Sequence, residues 1–308
     1  MGVVADSTPV AGGPAPPVDS PWRRVAGEFV RSRLAVAGLA LLAIAVVLAL
    51  AAPWISPQNP YDLAQLDVMD SKLPPGSAAS ATSRTYWLGT DDQGRDMLSG
   101  ILYGLRISLT VGVSSTVIAL AIGLALGLTA AYFGGWADAA IMRLADIQLS
   151  FPSILIALIL LAILGQGVDK IIVALVTVQW AYYARTVRSA AMVERQKEYV
   201  EAARALALSR LRIVFRHLLP NCLPPLIVVA TVQVAHAISL EATLSFLGLG
   251  LPITEPSLGL LIANGYQYLL SGKYWISFYP GVALLLTIMA INLVADQLRD
   301  ILNPRLRK

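Results

Sequence analysis

Long apolar runs separated by short polar stretches set the plan of this chain. Six runs, 34–54, 107–131, 139–164, 171–191, 223–247 and 275–295, are nearly free of charge. Each is long enough to cross a hydrocarbon core of about 30 Å, which takes about 20 helical residues. Their apolar character is continuous rather than alternating. That predicts helices and not a barrel, because in lipid every backbone N–H and C=O has to be satisfied internally. Pro152 lies inside the third run, where it removes one backbone hydrogen bond and predicts a kink. The expected fold is an all-α integral membrane protein with six transmembrane helices.

The polar stretches divide the rest. Residues 1–33 read as a tail on one side of the membrane, its first 21 residues rich in Pro, Gly, Ala and Ser and predicted to be disordered. The run 34–54 is the first transmembrane helix, preceded by Arg23, Arg24, Arg31 and Arg33. It is longer than a signal-peptide core and has no convincing cleavage site, so it reads as an uncleaved anchor. A loop follows over 55–105, and 106–308 forms the main transmembrane domain. Within that domain 198–221 is a charged, helix-friendly stretch set between two apolar runs, the kind of polar handle that another protein can grip.

Composition agrees with this plan. Of 308 residues 56% are hydrophobic and 14% charged, against a charged share of about a quarter in soluble domains, and the mean hydropathy is +0.67. The pI of about 9.2 is explained by basic residues that hold loops on the cytoplasmic side, so no nucleic-acid partner is expected. With the amino terminus inside, the cytoplasmic stretches 1–33, 185–221 and 299–308 hold 4, 8 and 4 Lys plus Arg. Lys72, Arg84, Arg95, Arg106, Lys170 and Lys273 fall outside or at the outer boundary. Sixteen against six places both termini in the cytoplasm. The loop 55–105 then faces outward and is mildly acidic. The single Cys222 allows no internal disulfide and reads as a small buried hydrophobe.

Several blocks resemble a known family. EAARALALSRLRIVFRHLLPN is similar to the EAA loop of ABC importer permeases, with Glu201, Ala202, Ala203, Ile213, Leu219 and Pro220 at the matching positions and Ala207 where the family has glycine. WLGTDDQGRDMLSGILYGLRISL from Trp87 resembles the block that opens the transmembrane domain in the dipeptide, oligopeptide and nickel branch, with Gly100 in place of the usual arginine. YFGGWADAAIMRLADIQLSFPSILIAL, SFLGLG from Ser245 and INLVADQLRDILNP from Ile291 are similar to blocks of its C-type subunit.

The resemblance implies a type I ABC importer permease fold in the bacterial plasma (inner) membrane. It also implies a homologous B-type permease, two ABC ATPase subunits that bind ATP and Mg, and an extracytoplasmic solute-binding protein as partners, with membrane lipid around them. Di- and oligopeptides lead the substrate classes it suggests. Nickel chelates, glutathione, opines and oligosaccharides stay open.

In such importers a short cytoplasmic helix of the permease sits in a cleft of the ATPase. Tyr199, Ala202, Ala203 and Leu206 recur at i, i+3, i+4 and i+7 and give one apolar face suited to that contact. Glu201 and Arg204 lie off the stripe, free to pair with each other or across the interface. The competing reading is an amphipathic helix lying on the lipid surface.

No GxxxxGK[ST] loop is present: Gly272-Lys273 is followed by Tyr274 and has Gln267 where the first glycine belongs. The chain is therefore not expected to be an enzyme or to bind a cofactor or metal itself. His217 and His236 are its two histidines and fit no hydrolytic motif.

Ionisable groups inside spans usually face a protein interior or a watery path. Gln233, His236 and Glu241 fall within about 140° on the fifth run at 100° per residue, which makes them candidates for the translocation path; the alternative places Glu241 near the outer boundary and gives Gln233 and His236 helix-to-helix hydrogen bonds. Arg143 with Asp146, and Asp296 with Arg299, are spaced as i, i+3 ion pairs. A proton-coupled secondary transporter using Asp146, Glu241 or Asp296 is the second functional reading, although no internal repeat supports it. Gly123 and Gly127 form a GxxxG, which either packs helices or is coincidence in a small-residue span.

Overall fold

In a computed structural model of the chain, residues 21–80 and 83–302 are described. The tail read as disordered lies outside these residues except for Pro21, which opens the first helix, α1 (Pro21–Arg31). Helix α2 (Arg33–Ile55) follows, capped by the Ser32 hydroxyl, which accepts from the Ala35 N–H. Its buried side is a line of small residues, Ala35, Gly38, Ala45, Ala49 and Ala52, so it packs closely on its neighbours. At Gly38 an added Cβ would lie 2.7 Å from Leu293 Cβ.

Residues 56–80 and 83–96 form a polar cap. It holds two short 3₁₀ turns and a two-stranded antiparallel hairpin, β1 (Ser77–Ala78) and β2 (Thr85–Tyr86). Asp70 organises it: its carboxylate accepts from the Ser80 N–H and hydroxyl and from the Tyr86 hydroxyl at 2.8 Å. Burial and that carboxylate push the Tyr86 phenol up to about 12. Three acids counted toward an acidic loop surface, Asp70, Asp91 and Asp96, are buried, so the loop presents less negative charge than its sequence predicts.

Helix α3 (Met97–Phe133) is 37 residues long and is capped by Asp96, which accepts from the Ser99 N–H. Helices α4 (Gly135–Ser150) and α5 (Ser153–Leu164) meet at Phe151-Pro152 with a bend of 91°. The kink expected at Pro152 is thus a full break. Its cause is the missing N–H of proline and the extended backbone it imposes on the residue before it, seen at Phe151 with φ −97° and ψ 144°. Helix α6 (Val168–Arg195) follows, then α7 (Glu198–Ala205).

Beyond α7 the chain runs as one 37-residue helix, Arg210–Phe246. It comprises α8 (Arg210–Ile213), a π turn over Val214–Leu218 and α9 (Leu219–Phe246). Helices α10 (Leu258–Tyr266) and α11 (Trp275–Leu302) complete the fold.

Among the described residues four helices, α2, α3, α8–α9 and α11, are long and apolar enough to span a membrane, and the bent pair α4–α5 makes a fifth. The expected span at 171–191 corresponds to α6, 28 residues long. It carries Arg185 and Arg188 within the expected run, so it falls below the hydropathy of the others.

The GxxxG is a packing device. Cβ atoms at Gly123 and Gly127 would lie 2.4 Å from Tyr183 Cβ and 2.6 Å from the Ala184 carbonyl, so α3 and α6 touch backbone to backbone there. Cys222 is fully buried with a free thiol.

Candidate functional site

Helix α7 carries EYVEAARA and stands out from the helix bundle. Val200 and Ala203 are buried against Leu208, Ile213 and Leu218, and this i, i+3 pair seats the helix. The stripe read from sequence is split. Ala203 turns inward, Ala202 is exposed, Leu206 is 74% exposed, and Tyr199 lies at the edge. The outer face thus carries Glu201, Ala202, Ala205 and Leu206, with Arg204 beside them, all exposed. Glu201 and Arg204 form no ion pair with each other or with any described residue.

The helix ends in a tight left-handed turn. The Leu208 N–H donates to the Ala203 carbonyl (3.2 Å) and the Ala207 N–H to that of Arg204 (2.9 Å), a 6→1 and 5→2 pair that defines a Schellman turn. Such a turn requires φ > 0 at its left-handed residue, and Ala207 has φ 54°. The departure, alanine where the family has glycine, therefore falls on the one position of this segment where a Cβ is strained.

Tyr199 ties α7 to its neighbours, a role the apolar-stripe reading missed. Its hydroxyl donates to Glu194 Oε2 at 2.6 Å, and Asn221 Nδ2 donates to Tyr199 Oη at 3.1 Å and to the His217 carbonyl at 2.7 Å. Burial together with the Glu194 carboxylate pushes the phenol up to about 12. Arg195 Nη1 donates to the Ala131 carbonyl at 2.8 Å and joins the end of α6 to the end of α3. Pro220 lies inside the continuous helix Arg210–Phe246, two residues after the π turn Val214–Leu218, and its missing N–H interrupts the backbone ladder at that irregularity.

The three path candidates do not share a surface. Glu241 is fully buried and accepts from Ser108 (2.9 Å) and Ser245 (2.8 Å), so it joins α3 to α9. Gln233 is buried too, with its Nε2 unpaired. His236 is exposed, beside Val232 and Ser239 on the outer side of α9.

A cavity of about 700 Å³ that the sequence reading missed opens between α6, α9 and the end of α11, with Arg185, Ser189, Glu194 and Asn221 on its wall. The expected i, i+3 ion pairs are also corrected. Asp146 binds Arg185 of α6 at 2.6 Å rather than Arg143, and no ion pair joins Asp296 to Arg299. Nothing among the described residues favours the proton-coupled reading.

Comparison with known proteins follows the same lines. The model of the binding-protein-dependent transport system inner membrane component matches residues 120–308, and that of the N-terminal TM domain of oligopeptide transport permease C matches 20–75. The dipeptide transport system permease protein DppC of Escherichia coli K12 is 40% identical over 295 residues, 96% of this chain and 95% of its own. The di/tripeptide transport system permease protein DppC of Pseudomonas aeruginosa is 39% identical over 288 residues, 94% and 93% of the two chains. Among solved structures, a chain of the inward-facing MetNI methionine ABC transporter superposes with a TM-score of 0.54 at 24% identity, covering 67% of this chain and 97% of its own. With a family match over more than half of its length and relatives of this similarity end to end, the chain belongs to the inner membrane components of binding-protein-dependent transport systems, as an ABC importer permease.

Proposed function

We propose that this permease passes di- or oligopeptides across the bacterial inner membrane and that α7 is the lever by which separate ATPase subunits drive it. The observation that carries this is mechanical. Helix α7, exposed along Glu201, Ala202, Ala205 and Leu206, connects through the Ala207 turn to a single 37-residue helix, Arg210–Phe246. At 1.5 Å per residue that helix is about 55 Å long, enough to carry a displacement of α7 to the level of Gln233, His236 and Glu241. The π turn at Val214–Leu218 lies on this line, and such turns often mark functional sites.

The remaining partners follow from the family: a homologous B-type permease, two ATPases binding ATP and Mg, and an extracytoplasmic solute-binding protein. Peptide as substrate rests on the relatives, which are named for dipeptides and tripeptides. The exposed strip of α9 with Val232, His236 and Ser239 faces the second permease across the pathway, and Glu241 holds that helix in place from behind through Ser108. The cavity of about 700 Å³ near Asn221 forms the inner vestibule and lies within the range of ligand sites, about 300–1,000 Å³.

In this reading both termini and 198–221 lie in the cytoplasm and the cap within 55–105 lies outside, an orientation that the basic-residue count supports. The tail 1–33, anchor 34–54, outer loop 55–105 and permease core 106–308 are the working units.

The test is Glu201→Ala. On an exposed helix the loss of one carboxylate costs the isolated fold within about 0.5 kcal/mol. Across a desolvated interface, removing one partner of a charged pair costs about 2–5 kcal/mol. Membrane abundance should stay near wild type while peptide uptake falls at least about tenfold, the factor that 1.4 kcal/mol represents. Unimpaired uptake by a well-expressed variant would remove Glu201 from the coupling contact.

A further inference from the structure

A second surface feature lies beside the coupling segment and is not used by it. A narrow groove of about 380 Å³ runs along the α7-proximal half of α3, with Ala121 and Ala125 on one wall and Leu211 and Phe215 on the other. Between Ala121 and Phe133 the helix rises about 18 Å at 1.5 Å per residue, so the groove is long and slender. Its lining is almost all hydrocarbon, and the Thr129 hydroxyl is taken up by its own helix, donating to the Ala125 carbonyl at 2.7 Å.

One end of the groove is charged. Arg210 lines it, is exposed and enters no ion pair among the described residues. Tyr132 and Phe133 stand near that end, and Trp136, 85% exposed, follows just beyond α3. An aromatic group of this kind marks the depth where headgroups begin.

Dimensions narrow the choice of occupant. A helix with its side chains is about 10 Å across and could only lie over so slender a groove, whereas an extended hydrocarbon chain can lie within it. The guanidinium at the rim adds charge complementarity, since its planar fork matches a phosphate.

We propose that this groove binds one acyl chain of an anionic phospholipid, with Arg210 holding the phosphate. Leu211 and Phe215 belong to the segment that joins the α7 turn to α9. The lipid therefore supports the lever on its outer side, and coupling depends on lipid charge. Placement in the cytoplasmic leaflet rests on the orientation proposed above; the site itself does not.

The experiment uses the complete transporter in mixed micelles, where no leaflet exists, with phosphatidylglycerol carrying a photoreactive acyl chain. Labelling should fall on peptides spanning 121–133 and 210–216. Ala125→Trp should abolish it, and Arg210→Glu should reduce it at least about fivefold, with Arg210→Lys keeping part. Thermal unfolding in lipid-free detergent monitors folding of each variant. Undiminished labelling of a folded Ala125→Trp protein would overturn the site, and so would a cross-link from position 125 to another subunit. Equal labelling by a phosphatidylcholine probe would overturn the role of Arg210. The orientation is read separately from a cysteine at position 209, so the two readings can fail independently.

Discussion

Replacing Ala207 with glycine should make the turn that ends α7 firmer. A left-handed conformation costs an L-residue about 1–2 kcal/mol, because Cβ crowds the carbonyl oxygen, and Ala207 sits at φ 54°. Glycine removes that cost but adds unfolded-chain entropy, about 0.4–1 kcal/mol. The side chain is exposed and seats no neighbour, so no packing term enters. The balance favours glycine by about 1 kcal/mol, or about fivefold in the opening equilibrium of the turn.

The reporter is hydrogen exchange at Leu208, whose N–H reaches back to the Ala203 carbonyl, in the complete chain in detergent. Ala207→Gly should slow that exchange about fivefold. Ala205→Gly supplies the control, since Ala205 lies in the right-handed part of α7 and is also exposed; there glycine costs about 1 kcal/mol and exchange should quicken. Ala207→Val adds a branched Cβ to the strained site and should quicken it most. Faster exchange in Ala207→Gly, with the control behaving as expected, would refute the left-handed turn.

Three further outcomes are expected. Gly127→Leu should destabilise the chain severely, by about 3 kcal/mol or more, because even a Cβ there meets the Ala184 carbonyl at 2.6 Å and Val187 Cβ at 2.7 Å; thermal unfolding unchanged within about 2 °C would sink the close α3–α6 contact. Burial pushes Asp91 from 3.8 up to about 6 against the pull of Arg95, so the folded cap favours the protonated acid and this contribution is lost as pH rises from about 4 to 6. Stability of wild type relative to Asp91→Asn should therefore fall across that window by up to about 3 kcal/mol at 1.36 kcal/mol per unit, and a pH-independent difference would contradict it. Cysteines at Ser77 and Ser271 should react with an impermeant thiol reagent in intact cells and one at Ser209 only after permeabilisation, whereas labelling at 209 in intact cells would reverse the orientation.

What was legible in the sequence follows the range of the forces involved. The apolar runs and a bend at Pro152 are local and can be read from neighbours along the chain, although the full break was not; the left-handed residue at position 207 was signalled only by the glycine that the resembled family carries there. Partner choice across the bundle is not local. Asp146 has Arg143 three residues away, yet it binds Arg185, 39 positions on, because α4 lies against α6. Glu241 looked like one of three residues on a broad face, but Ser108 on another helix draws it inward. On α7 two stripes were available in the same eight residues. The one built on Val200 and Ala203 seats the helix, because Ile213 and Leu218 return beneath it, and no periodicity within α7 can show that.

The two polar ends of the molecule are built to opposite rules. In the cap, Arg95 is fully buried and held by several groups: its Nη2 donates to Gln93 and to the Ile253 carbonyl, and Asp91 lies 3.8 Å from Nη1. Thr90 and Asp96 are buried as well, and the Gln58 side chain accepts from the Asp96 N–H at 2.7 Å. Each such hydrogen bond contributes about 0.5–1.5 kcal/mol net, and more where one partner is charged, so the cap is held at many points. Helix α7 is held by two small buried side chains, one strained turn and the Tyr199 hydroxyl. Segments with few buried contacts open first. The proposed mechanism needs this contrast, because an α7 as firmly fixed as the cap would resist a partner pulling on it, and a cap as loosely held as α7 would absorb the stroke.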